Sequence, residues 1–325
     1  MLTDHEGPSG RPGPAATATA DPGPVRTGAR RRAWWRGGPR RSGKLTAGLA
    51  VVAFFVLVGA LGPLFVAHPN QVGGDQLAAP SGAHLLGTTD TGQDVFGQLV
   101  VSARGSLTIG LVVGVLATVV SILVGVAGGF VGGRSDEGLS LLSNVFLVIP
   151  SLPLVILITD YVQSRNAVAV AAIIAVTSWA GSARVLRAQT LSLRGREYVD
   201  AARVSGERGW RIVAAEILPN LLPIIASQFV FAVLGGILTE AALAFLGLGS
   251  SQSWGSMLYF AQNAQALSLG AWWWFVPPGL CIALVGTGLS LVNFGIDEII
   301  DPRLRVARRA AGRRVGAGRA RRWAR

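Results

Sequence analysis

The sequence predicts an all-α, polytopic membrane bundle of six transmembrane helices with both termini in the cytoplasm. Composition, the length of the apolar runs and the placement of the cations each predict it. Half of the 325 residues are hydrophobic and only 14% are charged. Mean hydropathy is +0.49, which excludes a disordered chain or an ordinary soluble domain. Crossing about 30 Å of hydrocarbon takes roughly 20 helical residues. Runs of that order lie at 45–66, 107–130, 139–158, 168–185, 222–246 and 271–294. Their abundant Gly, Ala and Val favour close helix–helix packing rather than the short alternating strands of a barrel.

The charge pattern orients the bundle. Net charge is +12, with nine Lys or Arg up to Lys44, seven between Arg184 and Arg211, ten after Phe294, and Arg134 between the second and third runs. Only Arg104 and Arg165 fall in connections on the other side. Six spans with cytoplasmic termini therefore satisfy the positive-inside rule. The clusters around Arg30, Arg308 and Arg313 also raise nucleic acid as a ligand. No nucleic-acid-binding pattern accompanies them, and anionic membrane lipid explains them as partners.

Residues 1–44, rich in Pro, Gly, Ala and Arg, read as a disordered basic cytoplasmic tail rather than a cleavable signal peptide. After the first span (45–66), residues 67–105 form an outside segment. There Asp94 is placed to cap a short helix with Val95, Phe96, Leu99, Val100 and Ala103 on one face, an interfacial helix leading into the second span. Asp90, Gly92 and Asp94 resemble a cation loop only superficially, and His5, His68 and His84 are scattered, so no metal is expected. Residues 106–296 form a five-helix transmembrane core, with a tight connection at 132–137 and a cytoplasmic segment at 186–221. Pro150 and Pro153 bend the third span, either to line a path or as a packing kink.

Glu240 is the one carboxylate well inside a predicted span. It reads as a structural group paired with Thr239 or a neighbouring helix, with a substrate contact as the other reading. Trp272, Trp273 and Trp274 read as an aromatic belt at the outer interface. The lone Cys281 allows no intrachain disulfide. Residues 297–325 form a basic cytoplasmic tail, opened by Asp297, Glu298 and Asp301.

The most informative stretch lies between the fourth and fifth runs. Residues 193–219 read as two short helices meeting at a turn. Glu197 and Asp200 put negative charge in the opening turn of the first, where the helix dipole favours it. Tyr198, Ala201, Ala202 and Ser205 share one smooth face. Gly206 suits the left-handed position that ends a helix. Trp210, Val213 and Ile217 make a larger ridge that packs beneath the bundle, and Pro219 and Pro223 mark a kinked entry into the fifth span. A face of alanines fits a partner's groove, with Arg203 and Arg208 at its rim. An amphipathic loop resting on headgroups is the equal alternative on physical grounds.

Asp200-Ala201-Ala202, three residues, Gly206, and then Ile217-Leu218-Pro219 resemble the EAA loop of ATP-binding cassette importer permeases. Glu197-Tyr-Val-Asp-Ala-Ala-Arg203, Leu86-Gly-Thr-Thr-Asp-Thr-Gly-Gln-Asp94, Phe245-Leu-Gly-Leu-Gly249, Ser253-Trp-Gly-Ser-Met257 and Asp301-Pro-Arg-Leu-Arg305 extend the resemblance to the dipeptide/oligopeptide branch. It covers roughly residues 45–305. Asp200 replaces the usual Glu, Gln93 stands where Arg is common, and Ala215-Glu216 replaces a basic residue and His.

The resemblance implies a non-enzymatic permease subunit of the bacterial inner membrane. It further implies that Glu197, Tyr198, Asp200, Ala201, Ala202, Arg203, Gly206, Ile217, Leu218 and Pro219 couple it to ATPases. Pro150, Pro153 and Glu240 are the pathway or gating candidates. Implied partners are a second homologous permease, two cytoplasmic ATPases and an external solute-binding protein. ATP and Mg belong to those ATPases, since this chain lacks a phosphate-cradling loop and binds no cofactor of its own. Dipeptides or oligopeptides are the default cargo, with nickel or another small solute as the alternative. A secondary transporter would need midplane coupling-ion residues, of which only Glu240 is available. A membrane-embedded enzyme would need a catalytic constellation the spans lack.

Overall fold

The computed structural model describes residues 43–66, 71–72, 74–164 and 166–300. Most of the two expected tails lies outside these residues, as do His5, His68, Arg165, Asp301 and the closing 301–305 motif.

The described chain is helical throughout its long elements: α1 (Gly43–Phe65), α2 (Val95–Val131), α3 (Gly133–Val148), α4 (Ser151–Val162), α5 (Ala167–Arg194), α6 (Glu197–Val204), α7 (Gly209–Ile212), α8 (Leu218–Phe245), α9 (Trp254–Asn263) and α10 (Trp272–Ile300). Five segments are long and apolar enough to cross a membrane, namely α1, α2, α5, α7 through α8, and α10. The α3–α4 pair, bent by 90°, makes up to six.

α2 is the central post and packs against α5, α8 and α1, while α1 lies along α10. Small residues allow these approaches. A Cβ at Gly125 would meet the Ala183 carbonyl carbon and Leu186 Cβ, both at 3.1 Å, and one at Gly48 would meet the α10 backbone at Gly288 and Val292. Three polar contacts cross-link helices. Ser121 Oγ donates to the Trp179 carbonyl at 2.8 Å, Ser182 Oγ to Gln228 Oε1 at 2.9 Å, and Ser227 Oγ to Asn293 Oδ1 at 2.5 Å. In an apolar medium such hydrogen bonds hold helices in register where hydrophobicity alone cannot.

Several elements differ from their sequence expectation. The short interfacial helix at 95–103 and the second span are one helix of 37 residues. Asp94 does cap it, accepting from the Gly97 amide at 2.7 Å. Its first turns are buried at Val95 and Ala103, against a core that includes Phe55 and Trp254, rather than lying on lipid. No breaker intervenes, because Gly105 is where the Gln252 carbonyl approaches too closely for any side chain.

The 132–137 connection shrinks to a two-glycine corner. Gly132 and Gly133 take φ +73° and +63°, and Arg134–Glu137 are already helical. The third span is not one kinked helix but two. Pro150 holds Ile149 at φ −72°, ψ 126°, the extended conformation a following proline imposes. Pro153 falls in the first turn of α4, where its missing N–H costs no intrahelical bond.

The tryptophan belt reduces to Trp272, which is exposed. Successive helical residues point about 100° apart. Trp273 instead donates to the Thr88 carbonyl at 3.3 Å, and Trp274 is buried.

Overpacking a close helix contact costs about 1–3 kcal/mol. Gly125→Val is therefore expected to lower the thermal midpoint of the detergent-extracted protein by several degrees. Gly235→Val, which meets nothing within 4 Å, leaves it unchanged; fluorescence-monitored melting of both variants checks this.

Candidate functional site

The segment joining α5 to α8 stands out because it is ordered, polar and tied down. α5 runs past its apolar stretch to Arg194, nine residues beyond the predicted end of the span. Its last turns carry two arginines reaching back into the bundle. The Arg187 guanidinium grips Asp136 of α3 with two parallel hydrogen bonds, Nε to Oδ1 at 2.5 Å and Nη2 to Oδ2 at 2.7 Å. Such a fork fixes direction as well as distance. Arg194 Nη1 lies 3.3 Å from both the Gly129 and Phe130 carbonyls, capping carbonyls that the end of α2 leaves open. α5 is thereby fastened to the α2–α3 corner immediately before the chain leaves the bundle.

α6 follows at once. Glu197 and Asp200 occupy its first turn. Val199 is its single fully buried residue and anchors it. Arg203 pairs with Asp200 at 2.9 Å and lies 5.8 Å from the centre of the Phe130 ring. The helix ends as its glycine predicts: Gly206 takes φ +78°. The Gly206 and Glu207 amides donate to the Arg203 and Ala202 carbonyls at 3.0 and 3.1 Å, the paired bonds of a Schellman turn.

Of the smooth face read from the sequence, Tyr198, Ala201 and Ser205 are exposed and Ala202 is half-buried. Val204, not singled out in the sequence, is 90% exposed. It sits one residue after an arginine and two before a glycine, so no periodic stripe marks it.

The second half differs more. There is no separate short helix: 209–245 is one continuous span-length segment. It passes through a π-helical turn at Val213–Ile217. There the Leu218 amide reaches the Val213 carbonyl five residues back, and Asn220 Nδ2 donates to the Glu216 carbonyl at 2.6 Å. This wider turn lets the helix continue through Pro219, which lacks an N–H.

The expected ridge is only partly right. Ile217 and Val213 do pack with Val126, Leu186 and Leu221. Trp210 is 68% exposed, and Ile212 takes the buried place instead. The site residues thus divide: Glu197, Tyr198, Asp200, Ala201, Ala202, Arg203 and Gly206 form an outer element. Ile217 and Leu218 belong to the bundle core, and Pro219 is exposed at its margin.

The remaining candidates sit elsewhere. Pro150 and Pro153 are exposed at the α3–α4 break. Glu240 is fully buried on α8. It faces the Ser253 hydroxyl and the Ser250 amide, yet neither carboxylate oxygen has a hydrogen-bond partner of ordinary geometry among the described residues. The pairing with Thr239 or a neighbouring helix does not form, because the neighbour is the turn leading into α9. Among the described residues no three His, Cys, Asp or Glu side chains gather to hold a metal ion. Asp94 is occupied by its capping bond and a 3.2 Å contact to His84 Nδ1.

Residues 117–306 match the model of the family described as binding-protein-dependent transport system inner membrane component. The chain belongs to this family. It is 33% identical over 274 residues to the oligopeptide transport system permease protein of Bacillus subtilis (strain 168), covering 82% of this chain and 88% of that one. It is 31% identical over 264 residues to the dipeptide transport system permease protein of the same organism (80% and 82% covered). With the probable D,D-dipeptide transport system permease protein of Escherichia coli (strain K12) it shares 32% identity over 260 residues (78% and 85%).

This binding-protein-dependent permease is therefore a multi-pass protein of the bacterial plasma membrane and a transport component rather than an enzyme. Membership implies that it works beside another permease, ATPases and a binding protein.

Removing one member of a networked pair couples to its partner. Arg187→Ala and Asp136→Ala are expected each to destabilise the protein, and the double variant to do so by about 1–2 kcal/mol less than the sum. Chemical unfolding of the four proteins in one detergent measures the coupling.

Proposed function

We propose that this chain is one of two permease subunits of an ATP-driven importer of dipeptides or oligopeptides, and that residues 197–206 are the surface its ATPases grip. The observation that carries the coupling assignment is the combination found at α6. A short helix with exposed Tyr198, Ala201 and Val204 is closed by a Schellman turn and follows directly on the end of α5, which Arg187 and Arg194 fasten to the α2–α3 corner. Large apolar side chains outside the lipid-facing surface call for a protein partner. The tether makes α6 a lever: force on it reaches α5 through the chain and the α2–α3 corner through Arg187 and Arg194. A headgroup-resting loop would need neither feature.

The cargo assignment rests on the peptide and dipeptide permeases to which the chain is similar. ATP and Mg would be held by two cytoplasmic ATPases, and specificity shared with an external solute-binding protein. Lys44 pairs with Glu298 at 3.0 Å, so the start of α1 and the end of α10 meet on one side. The cation distribution favours the cytoplasm for that side. The α3–α4 break supports a second permease. Non-helical backbone at membrane depth is tolerated only where protein covers it or water fills a cavity beside it, yet Val148, Pro150 and Leu157 are exposed around it here. Alternating access would then rock two such bundles about their common pathway.

Val204→Glu and Ala201→Glu place charge on the gripped face without touching the bundle. Both are expected to insert at native levels while ATP-dependent peptide uptake in proteoliposomes falls at least about tenfold, a loss of roughly 1.4 kcal/mol of coupling. Native uptake by both variants sinks the assignment of 197–206 as the gripped surface.

A further inference from the structure

At the end of α10 opposite Glu298 lies a cavity of about 590 Å³, walled by residues 90–93, the first turns of α2, the 251–252 turn, α9 and Trp274. Its volume falls within the range that encloses a small ligand, about 300–1,000 Å³. It is separate from the α6 surface and from the α3–α4 break.

The chemistry of its wall is selective. Gln93, Gln98, Gln252 and Asn263 supply carboxamides; Gln98 Nε2 donates to Gln93 Oε1, and a carboxamide both donates and accepts, the pattern that matches a peptide unit's N–H and C=O. Asp90 supplies one exposed carboxylate, and no Lys, Arg or His lines the wall. The wall's one formal charge is therefore negative, which favours a cation over an anion. Phe260, 54% exposed, gives an apolar surface.

Trp274, 2% exposed, closes the inner wall with its ring, and its indole Nε1 is sealed from the cavity.

We propose that this cavity is a binding site for the amino end of a short peptide, with Asp90 facing the ammonium and the carboxamides of Gln98, Gln252 and Asn263 facing the peptide units. The proposal deepens the peptide-importer reading and rests on it for the identity of the cargo. It makes the permease itself, and not the binding protein alone, a reader of the cargo.

The test uses the complete transporter in lipid nanodiscs, without binding protein or ATP, titrated calorimetrically with trialanine and with N-acetyl-trialanine. The native protein is expected to bind trialanine at least about tenfold more tightly than the acetylated peptide, the size of a charge-assisted contact. Asp90→Asn is expected to bring trialanine down to the acetylated level while leaving N-acetyl-trialanine unchanged. Equal binding of the two peptides by the native protein overturns the proposal, as does an Asp90→Asn variant indistinguishable from native. Peptide binding that emerges only when the binding protein is added also overturns it, and assigns the cavity to that partner instead. ATP-driven uptake by the native transporter is read separately in proteoliposomes. Uptake without binding here ends the cavity proposal alone, whereas binding here without ATP-dependent uptake ends the importer reading.

Discussion

The approach of α2 and α5 to backbone distance is the constraint on which the remaining architecture rests. At Gly125 there is no room for a Cβ beside the Ala183 carbonyl, and one turn earlier Ser121 crosses the interface to the Trp179 carbonyl. Lipid is as apolar as the side chains it would replace, so close packing and interhelical hydrogen bonds supply the association. The same α5 face continues outward through Thr190, whose side chain abuts Gly129, to Arg187 and Arg194. What begins as small-residue packing ends as two charge-assisted clamps on the α2–α3 corner. No slack is left between the membrane interior and α6.

That continuity bears on how a soluble motor would act on a membrane path. A helix as short as α6 is marginal alone. Here it keeps its shape because Val199 is buried, Arg203 reaches both Asp200 and the Phe130 ring, and Gly206 closes its end. On its other side the chain re-enters the bundle through the π turn at Val213–Ile217 rather than a flexible loop. Both legs of the segment are thus helices rooted in the bundle, one in α5 and the other in α8. Such a two-legged element suits a rigid-body transition better than a local rearrangement does.

Much of this was legible in the sequence, for identifiable reasons. Span positions follow from apolar runs, the α6 stop from the one glycine able to take φ +78° at no steric cost, and the α2 start from an Asp at its N-cap. Three things were hidden. Nothing local distinguishes a proline that kinks from one that breaks, because the 90° turn at Pro150 depends on what lies beside it. The fusion of 95–103 with the second span is hidden because the glycine between them, Gly105, serves the close approach of the Gln252 carbonyl rather than a helix end. The burial of Ile212 in place of Trp210 follows from the π turn, which rotates the ridge away from its expected helical phase. No repeating pattern in the sequence announces any of the three.

The features left unresolved within one chain share a character. Backbone at the α3–α4 break is exposed where lipid cannot satisfy it, and Glu240 is buried with neither oxygen hydrogen-bonded. Structures retain such costs when another state or another subunit repays them. Glu240 faces the turn that starts α9, and α9 also walls the cavity holding Asp90 and Trp274. The buried acid and the outer cavity thus share one wall, the turn that leads into α9.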